Sequence, residues 1–169
     1  MTLIYGEPDD PQPVSIFGAS CPPSTEGADF PIPTFRKPRL VPGRACFSTA
    51  PLQDVSRARM FYDPDTWLCR GILLWYENGG SRAVGQCRVH VDDSTTVDRP
   101  TRLCFQATTY LTSKKWVRPG VRVRFGRDGD GDGAHRHSDE AWKCRPLDGI
   151  LTVFFTHDSF YLEVEESLV

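Results

Sequence analysis

Long apolar runs are missing from this sequence. None approaches the roughly 18 residues that a membrane-spanning helix needs, and the stretch from Met1 to Asp10 has neither the basic segment nor the apolar block of a signal peptide. A surplus of one charge is missing too. Twenty Lys and Arg stand against 22 Asp and Glu in 169 residues, for a formal charge of −2 and a pI near 6.1, so bulk charge gives no reason to expect a nucleic-acid partner. Helical periodicity is scarce: no window of about 12 residues carries an i, i+3, i+4, i+7 apolar stripe, and only a turn or two near Ser138 to Lys143 reads as helix. No C-x-x-C or C-x4-C pair marks a thiolate zinc site, and G-x-S-x-G, phosphate-cradling glycine loops and H-E-x-x-H are absent. These absences predict a folded cytoplasmic domain with no membrane or nucleic-acid partner and no required cofactor. No oligomeric state is implied.

The six cysteines, at 21, 46, 69, 87, 104 and 144, are expected to be reduced thiols, with Cys69, Cys87 and Cys104 serving as small apolar residues on strands. Nine of the 14 prolines fall before Gly43, and each removes a backbone donor. Residues 1–43 therefore read as a Pro-rich extended arm, partly docked through Phe30, Ile32 and Phe35, ahead of a β domain over residues 44–169.

After Gly43 the chain turns to short runs rich in Val, Ile, Phe, Tyr and Trp, separated by Gly, Pro, Asn and Asp. Eight strands are predicted, at 45–49, 55–62, 68–77, 82–91, 103–110, 121–125, 150–155 and 160–165. The fold class is all-β: a single antiparallel sandwich or barrel of about eight strands. Asn78-Gly79 predicts a hairpin tip, with a three- or a four-residue loop. Alternation then places Ala83, Gly85, Cys87, Val89 and Val91 on an apolar face, and Arg82, Gln86, Arg88 and His90 on a polar one. A second hairpin turns through Thr156 to Ser159, with Phe160, Leu162 and Val164 inward.

The stretch Cys69-Arg-Gly-Ile-Leu-Leu-Trp-Tyr-Glu-Asn-Gly, followed by Val84-Gly-Gln-Cys-Arg88, resembles a recurring segment of uncharacterised proteins from filamentous fungi. In these proteins Cys-x-Gly, an apolar run and Tyr-x-Asn-Gly precede Gly-Gln-x-Arg. That family has no assigned activity, so the resemblance implies no chemistry. The same hairpin is more distantly similar to one in jacalin-type lectins, which implies a lectin-like binding module. No unmistakable jacalin Gly-x-x-x-Asp sugar-binding signature stands at a free terminus, and no sugar-binding residue carries over.

Four groups of residues could carry function. Asp128, Asp130 and Asp132, spaced by glycines, with Asp139 further on, fit the opening of a calcium loop. That loop is either an ion-free Gly/Asp turn or a weak Ca2+ site. His135-x-His137 beside Asp139 and Glu140 offers imidazole and carboxylate donors. Arg82, Arg88 and His90, joined by Arg122 and Arg124 if their strands are neighbours, would make a basic stripe able to hold an acidic ligand; otherwise they are ordinary solvated charges. Among the aromatic residues, Trp116, in the turn-like Ser113 to Gly120, is the indole expected to be exposed as a stacking platform. The leading expectation is a non-enzymatic binding or protein-interaction module with a protein or carbohydrate ligand. The alternative is a small β-barrel enzyme or isomerase with an acid/base pair drawn from His90, Asp92 and Asp93, or from His157 and Asp158.

Overall fold

The structure, a computed structural model, describes residues 2–5, 17–20, 45–127 and 141–165. The chain divides into two compact units, Met1–Arg36 and Lys37–Val169. In the first, β1 (Thr2–Tyr5) pairs antiparallel with β2 (Phe17–Ser20). Both strands lie in proline-free windows, so every residue keeps the donor that a ladder needs. Phe30, Ile32 and Phe35 lie outside the described residues, as do residues 138–140 of the predicted helical turn; its remainder, 141–143, is not helix but a turn entering a strand at Lys143.

The second unit is an all-β antiparallel sandwich. Among the described residues its ten strands are β3 (Cys46–Pro51), β4 (Val55–Tyr62), β5 (Cys69–Tyr76), β6 (Ser81–Gly85), β7 (Asp93–Asp98), β8 (Arg102–Leu111), β9 (Val117–Gly126), β10 (Lys143–Pro146), β11 (Ile150–Phe155) and β12 (Phe160–Glu165). They form three sheets, ordered β6-β5-β4-β7, β12-β11-β3 and β10-β8-β9. Alternation explains most of them. In β9 Val121, Val123 and Phe125 are buried while Arg122 and Arg124 are exposed, and in β12 Phe160 and Leu162 face the core while Glu163 and Glu165 face water. Ala50, Ala58, Met60, Ile72, Leu74, Leu103, Leu151 and Val153 complete a filled core.

The sequence missed β7 and β10. Asp-Ser-Thr-Thr-Val-Asp is a polar edge strand whose apolar signal is one valine, and Lys-Cys-Arg-Pro has no apolar alternation at all. The missed β10 also overturns the expectation for two thiols. It sets Cys144 directly opposite Cys104 of β8, with Cα atoms 4.0 Å apart, and the pair forms a disulfide. Cys46, Cys69 and Cys87 remain free.

The first hairpin needs a correction as well. Its loop is Glu77-Asn78-Gly79, closed by the Tyr76 N–H donating to the Gly80 carbonyl at 3.0 Å, with Gly79 at φ +82°. The register is Trp75↔Ser81, Leu73↔Ala83 and Gly71↔Gly85, shifted by two residues from the predicted three-residue pairing. An even shift keeps parity, but the core side of β5 is that of Ile72 and Leu74, so the faces of β6 are the reverse of those expected. Val84 is fully buried opposite Ile72, whereas Ala83 is exposed, as are Val89 and Val91 beyond the strand.

The strand ends at Gly85 because the chain turns across the sheet there. A Cβ on Gly71 would lie 2.5 Å from the Gln86 carbonyl carbon and oxygen, and one on Gly85 2.6 Å from the Arg70 carbonyl oxygen. Both atoms are backbone and cannot swing aside. Gly71→Ala is expected to lower stability by about 3 kcal/mol or to abolish folding, measured by urea unfolding; a loss below about 1 kcal/mol would show that the crossing relaxes. Opening the Cys104–Cys144 bridge, which closes a loop of sequence separation 40, should cost about 4 kcal/mol. Thermal melts of Cys144→Ser, or with reductant, check this, with a fall on the order of 10 °C expected.

Candidate functional site

One end of the sandwich gathers the turns that follow β4, β6, β8 and β11. Between β6 and β7 the chain makes a tight turn over residues 87–92, where Arg88 Nε donates to Asp92 Oδ2 at 2.8 Å and Nη2 to Oδ1. Gln86 reaches across to the β11–β12 turn, donating from Nε2 to the Thr156 carbonyl at 2.9 Å. Thus the Gly-Gln-x-Arg part of the sequence motif is a set of structural ties that fixes this end.

A cleft of about 540 Å3 opens here, lined by Asp63, Arg70, Tyr110, Lys114, Trp116 and Asp158 among others. Two guanidinium–carboxylate pairs form its inner wall. Arg70 donates from Nε at 3.1 Å and from Nη2 at 2.5 Å to Asp63 Oδ2, and from Nη1 at 2.6 Å to the His157 carbonyl. Asp63 Oδ1 accepts from the Thr66 amide and hydroxyl at 3.0 and 2.9 Å. Arg118 Nε donates to Asp158 Oδ2 at 2.8 Å, the Thr156 hydroxyl donates to Oδ1 at 2.8 Å, and the Tyr110 hydroxyl donates to the Asp158 carbonyl at 2.5 Å. Burial pushes both carboxyls up, but their hydrogen bonds, from Arg70 and Thr66 and from Arg118 and Thr156, outweigh it and hold both below the usual carboxylate range.

The rim presents side chains instead of pairing them. Trp116 is 55% exposed, with the Arg118 guanidinium 4.9 Å and the Lys114 ammonium 5.8 Å from its ring centroid. The Lys115 N–H donates to the Thr112 carbonyl at 2.8 Å and the Trp116 N–H to the Thr112 hydroxyl at 3.1 Å. This closes the β8–β9 turn with Lys115 at φ +60°. Trp67, 63% exposed, stands at φ +58° in the β4–β5 turn, and His90 at φ +64° in the 87–92 turn. Glycine is the residue these three backbone positions favour.

The sequence-predicted site residues do not converge. Trp116 is exposed at the cleft, as expected. Arg88 and His90 lie in the neighbouring turn, Arg88 engaged by Asp92 and His90 exposed. Arg82 shares the core-side parity of Val84 and donates to the Thr49 carbonyl at 3.4 Å. Arg122 and Arg124 sit on the β10-β8-β9 sheet, where Arg124 covers Trp142 at 5.4 Å, so no continuous basic stripe forms with β6. Asp128, Asp130, Asp132 and Asp139 lie outside the described residues, as do His135 and His137. Among the described residues no group of three or more His, Cys, Asp and Glu side chains is placed to hold a metal ion. Of the suggested acid/base pairs, His157 is 91% exposed and stands 3.7 Å from Asp158, while Asp92 is committed to Arg88. Sequence reasoning missed Asp63, Arg70, Tyr110 and Arg118. Asp63-Pro64-Asp65-Thr66 is a readable turn, but nothing in the sequence brings it to the 110–118 hairpin.

Because the Asp63 and Asp158 carboxyls titrate lower in the fold than the usual 3.8, the stability they add is complete above about pH 5 and is lost as pH falls through their folded values. Replacing Arg70 by Met should lower stability at neutral pH by about 2 kcal/mol and flatten the loss in acid. Melting temperatures of the two proteins from pH 7 down to about pH 3 check this, and parallel curves would assign the acid loss to other groups. Compared with protein-family models, curated proteins and solved structures, the chain matches none.

Proposed function

We propose that this protein is a non-enzymatic recognition module whose loop-end cleft binds a neutral, hydroxyl-rich ligand, the face of a saccharide. The observation that carries the reading is an exposed indole, Trp116, at the mouth of a cleft whose inner carboxylates, Asp63 and Asp158, are already paired within the protein. An indole offers a flat apolar surface to the C–H face of a sugar ring. Around it, Asp65, Thr112, Ser113 and Lys114 supply donors and acceptors at the rim. With Asp63 and Asp158 neutralised by Arg70 and Arg118, the inner wall has little excess charge to attract an ionic ligand.

The same pairing argues against acid/base catalysis. A general acid working near neutral pH needs a raised carboxyl or a sheltered imidazole. Here both inner carboxyls are shifted down, and His157 is open to solvent. The Cys104–Cys144 bridge favours a working environment that does not reduce it.

Screening the full chain against an array of neutral oligosaccharides, followed by calorimetric titration of the best ligand, tests the proposal. Trp116→Ala should weaken that ligand about tenfold, the loss of one stacking contact, with the melting temperature little changed because the indole is exposed. No binding at millimolar sugar, or equal affinity in the variant, would remove the saccharide reading.

A further inference from the structure

We infer that this end of the sandwich also docks on a lipid surface bearing anionic headgroups, through exposed apolar side chains most of which, Leu111 and Trp116 excepted, stand outside the saccharide cleft. Among the described residues seven large hydrophobics are exposed: Phe47, Trp67, Val89, Val91, Leu111, Trp116 and Val117. The strand registers put all seven at or next to one end. Tyr62 pairs with Cys69 and with Asp93, so the turns bearing Trp67 and Val89/Val91 share that end. The 111–117 turn and the β11–β12 turn meet Asp63 and Arg70 in the cleft, and Phe47 pairs with Phe154 beside the latter turn. At the opposite end the described turns, 52–54, 77–80, 99–101 and 147–149, expose no large apolar side chain.

Random scatter of exposed apolar residues is normal; their segregation to one end marks an interface. Two features favour lipid over a protein partner. The apolar groups come from three separate turns and one strand end, one to three from each, with 50% to 69% of their surface exposed. A fluid headgroup layer accommodates such tips, whereas a protein partner would need matching pockets. The β8–β9 turn also places the exposed Lys114 and Lys115 beside Leu111, Trp116 and Val117 with no carboxylate in the segment, while Arg118 is engaged by Asp158. Indole and aliphatic groups at the acyl boundary with ammonium groups among phosphates is the arrangement of an interfacial anchor.

Co-sedimentation of the full chain with sugar-free vesicles tests the inference, comparing pure phosphatidylcholine with phosphatidylcholine–phosphatidylserine. The expected result is binding to the anionic vesicles that weakens as salt rises. Trp67→Gly together with Val117→Ser should cut binding at least about tenfold without lowering the melting temperature, because glycine relieves the strain at residue 67. Lys115→Glu should remove much of the salt-sensitive part. Absence of binding at low salt, or binding that survives both sets of substitutions, overturns the inference. Self-association that the same substitutions abolish, with no vesicle binding, assigns the surface to a second copy and likewise overturns it. Trp67, Val117 and Lys115 do not line the cleft, so binding of free oligosaccharide by these variants reports on the saccharide reading separately.

Discussion

The contact between Gly71 and Gly85 is the constraint on which the loop end depends. These residues face each other in the β5–β6 register, and a side-chain carbon on Gly71 would strike the Gln86 backbone while one on Gly85 would strike the Arg70 carbonyl and the Phe160 ring. A ladder that continued straight would carry residues 86–91 along β5, away from the rest of the sandwich. Turning at Gly85, at φ +73°, the chain instead crosses at Gly71. The Gln86 N–H still reaches the Arg70 carbonyl at 2.7 Å, and its amide holds Thr156. Arg70 is thereby fixed from its backbone while its guanidinium joins Asp63 to His157. The β4–β5, β6–β7 and β11–β12 turns are thus tied through one two-residue step, Arg70-Gly71.

From this follows a division between groups that hold and groups that present. Asp63, Arg70, Asp158 and Arg118 have side chains only 12% to 18% exposed and spend their hydrogen-bonding capacity on one another. Charge-assisted pairs of this kind lose strength when opened to water, so a ligand gains little by competing for them. Trp67, Trp116 and Lys115 have the opposite character: exposed, and in two cases held in backbone conformations that cost about 1 kcal/mol each for a non-glycine residue. Stability considered alone would replace them. The inner wall is held by its own pairs, and the exposed side chains around it are the groups on which the proposed binding rests.

Alternation made much of the fold legible from the sequence. The β4 prediction, 55–62, matches the strand found, and in β9 and β12 the apolar residues point where period two requires. It failed where burial is not what makes a strand. β7 and β10 are edge strands held by ladder hydrogen bonds and, for β10, by a disulfide, none of which leaves an apolar pattern. It misled at β6, where Ala83, Gly85, Cys87, Val89 and Val91 imitate a period-two face although the strand ends at Gly85 and the buried residue is Val84. The cleft was illegible for another reason: its walls come from three turns separated by up to about 95 residues, and only Trp116 sat in a local context that suggested exposure.

The far end of the sandwich shows why an aromatic residue among arginines is not by itself a site. There a second cleft, of about 580 Å3, is lined by Arg57, Trp75, Tyr76, Glu77, Asp98 and Arg99 among others. The ingredients resemble those at the loop end, yet the register consumes them. Arg57 lies opposite both Trp75 and Asp98, which puts its guanidinium 6.0 Å from the indole centroid and 2.5 Å from the carboxylate. Arg59 approaches the same ring to 5.6 Å, and the Tyr76 hydroxyl donates to the Pro51 carbonyl at 2.9 Å. Trp75 is thus a half-buried strand residue covered by its neighbours on the sheet, as cross-strand pairing makes natural. Trp116 and Trp67 stand in turns, where no ladder dictates a neighbour. The two ends differ less in composition than in how many of their aromatic and charged groups the fold has left to be used.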